Sequence, residues 1–226
     1  MPVLEFNSVE LLRVAYIASE RAVEDFNSRR NALTLDSLAA AVFAAAAVEA
    51  FTNDLPDHVE VWRTAAGDWA PDATTPELVR AVREMIAMDT SPRRDKLKGK
   101  YRAAERVLSG GSRKTDGPEL QDLHRLIIVR DAILHGRAPR PAPRPGLPKV
   151  MADLRRADLT VPHEGANANV FFELESPRLA VWAYCTARRI ILAMLDLVPP
   201  NVEAVSSLRD VLRDPIRFPS DRCRGK

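Results

Sequence analysis

The chain has 226 residues, 46% of them hydrophobic, which is ample for a core and is expected to give a globular protein of one large domain or two small ones. Its 33 Lys and Arg nearly cancel its 31 Asp and Glu, so there is no global basic field and any affinity for nucleic acid has to come from local patches. Two cysteines, Cys185 in an apolar stretch and Cys223 in the polar tail, with no CxxC and no Cys/His cluster, argue against a disulfide framework and against a zinc site.

Helical periodicity dominates. Asn7, with Glu10 at the capping-box position, opens a helix over about residues 8 to 29 that carries Leu11, Val14, Ala15, Ala18, Ala22 and Phe26 on one face. The amino terminus, MPVLEFNSVELLRVAY, lacks a basic region followed by an apolar run and does not read as a secretory signal. A second helix opens near Asp36 or Ser37. Its alanines from Ala39 to Ala50 let neighbouring helices approach closely, and Pro56 is expected to stop it soon after Asn53. The low-charge segment within it, SLAAAVFAAAAVEAF, reads as too short for a membrane span, so a soluble cytoplasmic protein with no membrane partner is expected.

A weaker helical piece, DHVEVWRTAAG, leads into a polar, Pro-containing loop. Thr75-Pro76 then opens a helix ending near Met88, and Ser91-Pro92 opens another, SPRRDKLKGKYRAAERVL, that ends at Gly110-Gly111. After the loop SGGSRKTDG, Pro118 begins a helix whose last part reads LIIVRDAILHGR, with Gly136 suited to the left-handed position that follows a helix. Residues 137–149, RAPRPAPRPGLPK, read as an extended, basic, proline-rich insertion that is not helical. Residues 157–174, ADLTVPHEGANANVFFEL, fit a small β-hairpin around HEGANAN. Ser176-Pro177 starts a strongly apolar helix to about Val198, carrying Trp182, Ile190, Ile191 and Leu195. The expected architecture is one all-α bundle over residues 1–212, with a small β-hairpin before the last long helix, and a loose basic tail over 213–226. No internal repeat, GxGxxG, P-loop, HExxH or GxSxG occurs.

Arg130 is the anomaly of its helix. Six positions in LIIVRDAILHGR are Leu, Ile or Val and point in too many directions for one narrow stripe, so the helix reads as largely buried. An unpaired buried charge costs roughly several kcal/mol, so Arg130 needs an acidic partner, water or an anionic ligand. With about 100° per residue, His135 stands roughly 140° around the axis from Arg130 and about 40° from Asp131, which makes Asp131 and His135 natural partners. The long side chain of Arg130 still bends toward a site that those two line. The negative end of the helix dipole favours protonated His135, the form a general acid needs.

Arg130-Asp131-Ala132-Ile133-Leu134-His135 resembles the Rx4-6H motif of the HEPN superfamily, and Glu49-Ala50-Phe51-Thr52-Asn53 resembles the E-A-F-I-N helix of one of its branches. The order of elements is also similar: a long first helix, the E-A-F-x-N helix, a helix with Lys100-Tyr101, the Arg-His helix and a terminal helix with Trp182, over roughly residues 8 to 198. Thr52, where the branch usually has Ile or Leu, and the long insertion after His135 depart from the pattern. The resemblance implies a HEPN-like helical bundle that forms a homodimer in which two Arg-His motifs meet in one cleft. It also implies metal-independent endoribonuclease activity without a cofactor, and a toxin or antiviral defence role with an antitoxin or sensor protein as a further partner. Its other branch of expectation is a non-catalytic module that binds RNA, a nucleotide or a protein.

The residue types suit RNA cleavage: imidazole moves a proton near neutral pH and guanidinium holds phosphate oxygens bidentately. Arg130 and His135 are therefore the expected catalytic pair, with Asp131 either orienting His135 or exposed. Glu49 and Asn53, one turn apart, are expected to support Arg130 rather than touch substrate. The plainer alternative is a structural Glu49–Arg130 ion pair with His135 as a helix-end residue. Arg137, Arg140 and Arg144, with Lys149, are either an RNA-backbone grip or a solvated linker. His58, His124 and His163 read as surface or structural residues, and Trp62 and Trp69 as core rather than base-stacking residues.

Overall fold

The computed structural model describes residues 7–28, 35–65, 96–108, 117–135, 146–161, 170–197 and 203–214. They form helices α1 (Asn7–Ser28), α2 (Leu35–Ala65), α3 (Lys96–Leu108), α4 (Pro118–His135), α5 (Leu147–Arg156), α6 (Val170–Leu174), α7 (Pro177–Leu195) and α8 (Glu203–Arg213). No strand occurs among the described residues, and the fold is an all-α bundle.

Alanine sets how the bundle packs. Ala40, Ala41, Ala44, Ala45 and Ala47 of α2 are fully buried, and one-carbon side chains let α1 and α7 lie close along it. Between these small residues Val48, Phe51 and Leu55 fill the core from α2, opposite Leu123, Leu126 and Val129 of α4 and Leu179, Ile190 and Leu195 of α7. Tyr16 of α1 and Tyr184 of α7 stack at a tilt with ring centroids 5.3 Å apart. Burial pushes the pKa of the Tyr184 hydroxyl well above the usual tyrosine range. The stretch Leu35–Leu55 of α2 is long and apolar enough, at 21 residues, to meet the length and composition of a membrane span, contrary to the sequence reading. More than half of it is buried inside the bundle.

α1, α4 and α7 begin and end close to where the sequence places them. Ser176 caps α7, its Oγ accepting from the Leu179 N–H at 3.4 Å with Pro177 in the first turn. Pro56, however, does not end α2, which runs on to Ala65 and absorbs most of DHVEVWRTAAG. A proline at this position withdraws the N–H that the Thr52 carbonyl would accept. Thr52 meanwhile donates its own hydroxyl to the carbonyls of Val48 and Glu49, both at 3.0 Å, a back-bonding that helices accommodate by bending. Phe51 and Leu55, fully buried, hold this turn in the core.

The expected β-hairpin has no strand among the described residues. VFFEL is helix α6, and HEGANAN lies outside the described residues. Glu173 of α6 is buried and accepts both Nε and Nη2 of Arg155 on α5 at 2.7 Å, and its carbonyl accepts from the Val161 N–H at 3.1 Å. That tertiary anchoring overrides the β-propensity of Val170, Phe171 and Phe172. The proline-rich insertion is likewise shorter than expected, because Leu147, Pro148 and Lys149 are the first turn of α5. Proline is tolerated there because first-turn N–H groups lack an intrahelical acceptor. Gly146 precedes it with φ +86°, where a Cβ would also meet Ile128 Cδ1 at 3.2 Å. The expected helix over Thr75–Met88, Gly136 as a helix terminator, and the tail beyond Asp214 lie outside the described residues.

Cys185 is disulfide-bonded, a bond that the spacing of the two cysteines does not announce. Cys223, the other cysteine of the sequence, lies outside the described residues. Helix α8 was not anticipated either. It buries Leu208 and Leu212, and its Arg209 guanidinium, itself buried, donates from Nε and Nη2 to the carbonyl of Leu195 at the end of α7. Burial lowers the Arg209 pKa, with Asp196 opposing that shift. Arg209→Met keeps the apolar stem and removes these donors, leaving a helix-end carbonyl unsatisfied, and thermal or urea melts should show a loss of about 1–3 kcal/mol.

Candidate functional site

Arg130 of α4 reaches Glu49 of α2. Nη1 donates to Glu49 Oε2 at 2.7 Å, while Nε and Nη2 donate to Asp131 Oδ1 at 3.2 and 3.0 Å. The guanidinium is half-buried, its side chain 19% exposed, whereas Glu49 is 47% and Asp131 36% exposed. The apolar neighbours of Arg130 predicted such a pairing, since Val129 and Ala132 are buried on the same helix. Its burial is less complete than the sequence implied, because both carboxylates stand at the rim of the bundle.

Three of the five guanidinium N–H groups are used in this way, and one remains on each of Nη1 and Nη2. Arg130 is thus fixed in orientation and still able to donate to an added oxyanion.

Of the two readings of Asp131, orienting His135 or standing exposed, the structure shows no bond to His135 and a side chain 36% exposed. Asp131 holds Arg130, and His135 makes no hydrogen bond or ion pair among the described residues. Adjacent positions on a helix face different directions, but the Arg130 side chain is long enough to curl back to the carboxylate next to it, and the closer charge wins. His135 is exposed at the last residue of α4, beside Leu134, which is 58% exposed. The negative end of the α4 dipole acts on it there.

Asn53, one turn after Glu49, is exposed and does not touch Arg130; its Oδ1 accepts from Lys100 Nζ of α3. Lys100 is 4% exposed, and its capture by Asn53 makes the E-x-x-x-N turn of α2 a junction with both neighbours, α4 through Glu49 and α3 through Asn53. The sequence alone marks Lys100 only as a neighbour of Tyr101 in the order of helices. The signal that it matters was available in its position between buried Leu97 and buried Tyr101, where a lysine needs a partner.

Arg137, Arg140 and Arg144 lie outside the described residues, as do His58, His163, Trp62 and Trp69 in their side-chain placement. Among the described residues no group of three His, Cys, Asp or Glu side chains is placed to hold a metal ion. A groove of about 930 Å³ along α7, floored by Val23, Phe26, Trp182 and Leu192, and a second cavity of about 470 Å³ between α3, α4 and α5 are lined by none of Glu49, Arg130, Asp131 and His135. Neither of these two hollows is lined by the Arg130–His135 end of α4.

Comparison of the chain with protein-family models, with curated proteins and with solved structures finds no match.

The exposure of both carboxylates sets the energetics of the ion pair. Solvent screens it, so Glu49→Ala should destabilise the fold by only about 1 kcal/mol, and the double-mutant cycle with Arg130→Met should return a coupling of about 0.5–1 kcal/mol in chemical denaturation. A coupling of zero would show that the two side chains do not interact in solution.

Proposed function

We propose that the chain is a metal-independent endoribonuclease of the HEPN type whose active site is completed by a second copy of itself. The observation that carries this reading is the contrast at the end of α4: Arg130 is held in place by Glu49 and Asp131 with donors to spare, while His135 is exposed with no partner among the described residues. A catalytic cation gains from being fixed before substrate arrives, and a proton-transfer group gains from not being committed to an internal partner. Exposed Leu134 beside His135 supplies apolar surface for a twofold contact, which would convert an open helix end into a cleft with two Arg130–His135 pairs.

In such a cleft the scissile phosphate sits against the free Nη protons of Arg130. A neutral His135 imidazole accepts the proton of the ribose 2′-hydroxyl as that oxygen attacks phosphorus. The bond from phosphorus to the 5′-oxygen breaks, and the protonated His135 of the second copy gives its proton to the departing oxygen. The products are a 2′,3′-cyclic phosphate and a free 5′-hydroxyl. Asp131 acts through Arg130 in this scheme, and Glu49 does the same from α2, so both are positioning residues; Asn53 supports the site only through Lys100. The toxin or antiviral setting, and an antitoxin or sensor partner, rest on the resemblance of the motif alone.

A second reading, a non-catalytic module that binds RNA, nucleotide or protein, is favoured by one feature, that no carboxylate among the described residues holds His135 and fixes its tautomer. The two readings separate cleanly. Arg130→Ala and His135→Ala should each lower RNA cleavage by about 10² or more with the helical circular dichroism unchanged, EDTA should have no effect, and DNA should not be cut. RNA bound but left intact by the wild-type chain would favour the binding module, and cleavage that survives both substitutions would place the active site elsewhere.

A further inference from the structure

A cluster of basic side chains lies toward the other end of α4, away from Arg130. Lys98 and Arg102 stand one turn apart on α3, His124 and Arg125 are adjacent on α4, and Lys149 belongs to the first turn of α5. All five line the cavity of about 470 Å³ where these three helices meet. Among its lining residues the one carboxylate is Asp153, and it is already engaged, 3.7 Å from Arg125 Nη2 and 3.1 Å from Arg156 Nη1. Arg125 has a second acid in Asp122, at 2.8 Å. Lys98 and Lys149 make no hydrogen bond or ion pair among the described residues.

Four side chains that are permanently charged at neutral pH thus converge from three helices on the hollow; Arg125 is paired with Asp122 and Asp153, Arg102 has an interaction of its own, and Lys98 and Lys149 carry the charge that no described acid meets. Like charges so placed repel, and walls of low dielectric strengthen the positive potential between them. The first turn of α5, entered through Gly146 in a left-handed conformation, forms one wall and adds the partial positive charge of a helix start. Gln121 and His124 contribute further hydrogen-bonding groups beside the cations. The volume falls in the range of small-molecule sites and exceeds what a bare inorganic anion fills.

We propose that this cavity binds a phosphate-bearing ligand of nucleotide size, with Lys98, Arg102 and Lys149 as the groups that hold its phosphate. The site goes beyond the ribonuclease reading and does not depend on it, since His124 and His135 are separated by about 16 Å of helix. Two sources share this chemistry, a free ribonucleotide and one phosphate of an RNA strand.

The test is a titration of the full chain by calorimetry or by phosphorus NMR, using inorganic phosphate, a ribonucleoside 5′-monophosphate and a short oligoribonucleotide carrying a non-cleavable 2′-methoxy backbone. The wild-type chain should bind phosphate saturably, and Lys98→Gln with Arg102→Gln should weaken that binding by about tenfold or more, as should Lys149→Gln. Arg13→Gln, an exposed cation on α1, should leave it unchanged. Tighter binding of the monophosphate than of the oligonucleotide assigns the site to a free nucleotide, and the reverse assigns it to an RNA strand; either result sustains the proposal. Lys149 is exposed, so its variant keeps the test valid should the double variant fail to fold. Phosphate binding that is absent, or equal in wild type and in Lys149→Gln, overturns it. RNA cleavage measured on the same variants keeps the outcome separate from that of the Arg130–His135 site.

Discussion

The reach from Glu49 to Arg130 is the contact on which the rest of the site depends. Glu49 is carried by α2, whose alanine face is gripped by α1 and α7, so its backbone has little freedom to move. Arg130 is carried by α4, which leans on α2 through Leu123, Leu126 and Val129. The ion pair therefore joins two elements already fixed by packing, and its value lies in orientation more than in stability. With two carboxylates at 2.7 to 3.2 Å the guanidinium plane is defined, and the direction of its unused donors is defined with it.

The same turn of α2 that supplies Glu49 also supplies Asn53, which captures the buried Lys100 of α3. Two cations on two different helices are thus satisfied by residues one turn apart on a third. Each needs a polar partner because it emerges among apolar neighbours, and α2 meets both needs while presenting alanine to the rest of the bundle. This division of labour explains how a helix so poor in large side chains holds the polar edge of the fold together.

Much of this was legible from the residues. Asn7, Ser176, Pro177 and Pro118 mark helix starts by local chemistry, and the structure begins α1, α4 and α7 at or beside them. That Arg130 needs a partner followed from a charge set in an apolar run, and the E-A-F-x-N resemblance offered Glu49, although the sequence could not show that the carboxylates lie at the rim and half in solvent. Other features depended on distant partners. α2 continues through Pro56 with its preceding turn locked in the core, and VFFEL turns helical where Glu173 is tied to Arg155. Asp131 went to the arginine beside it rather than to His135, because a flexible side chain, not helical angle alone, decides which charge is nearer. The cation cavity between α3, α4 and α5 joins residues 51 positions apart, Lys98 to Lys149, and no local pattern announces it.

An exposed histidine and an adjacent exposed leucine at the end of α4, outside both cavities, make sense together if a second copy of the chain covers them. The most direct measurement is a dilution of wild-type chain with inactive chain bearing Arg130→Ala and His135→Ala, exchanged into mixed assemblies at constant total concentration, with RNA cleavage as the readout. A site shared between copies predicts that activity falls as the square of the wild-type fraction, because mixed pairs lack half of the cleft. A linear fall would mean that each chain cleaves alone and would contradict the shared site.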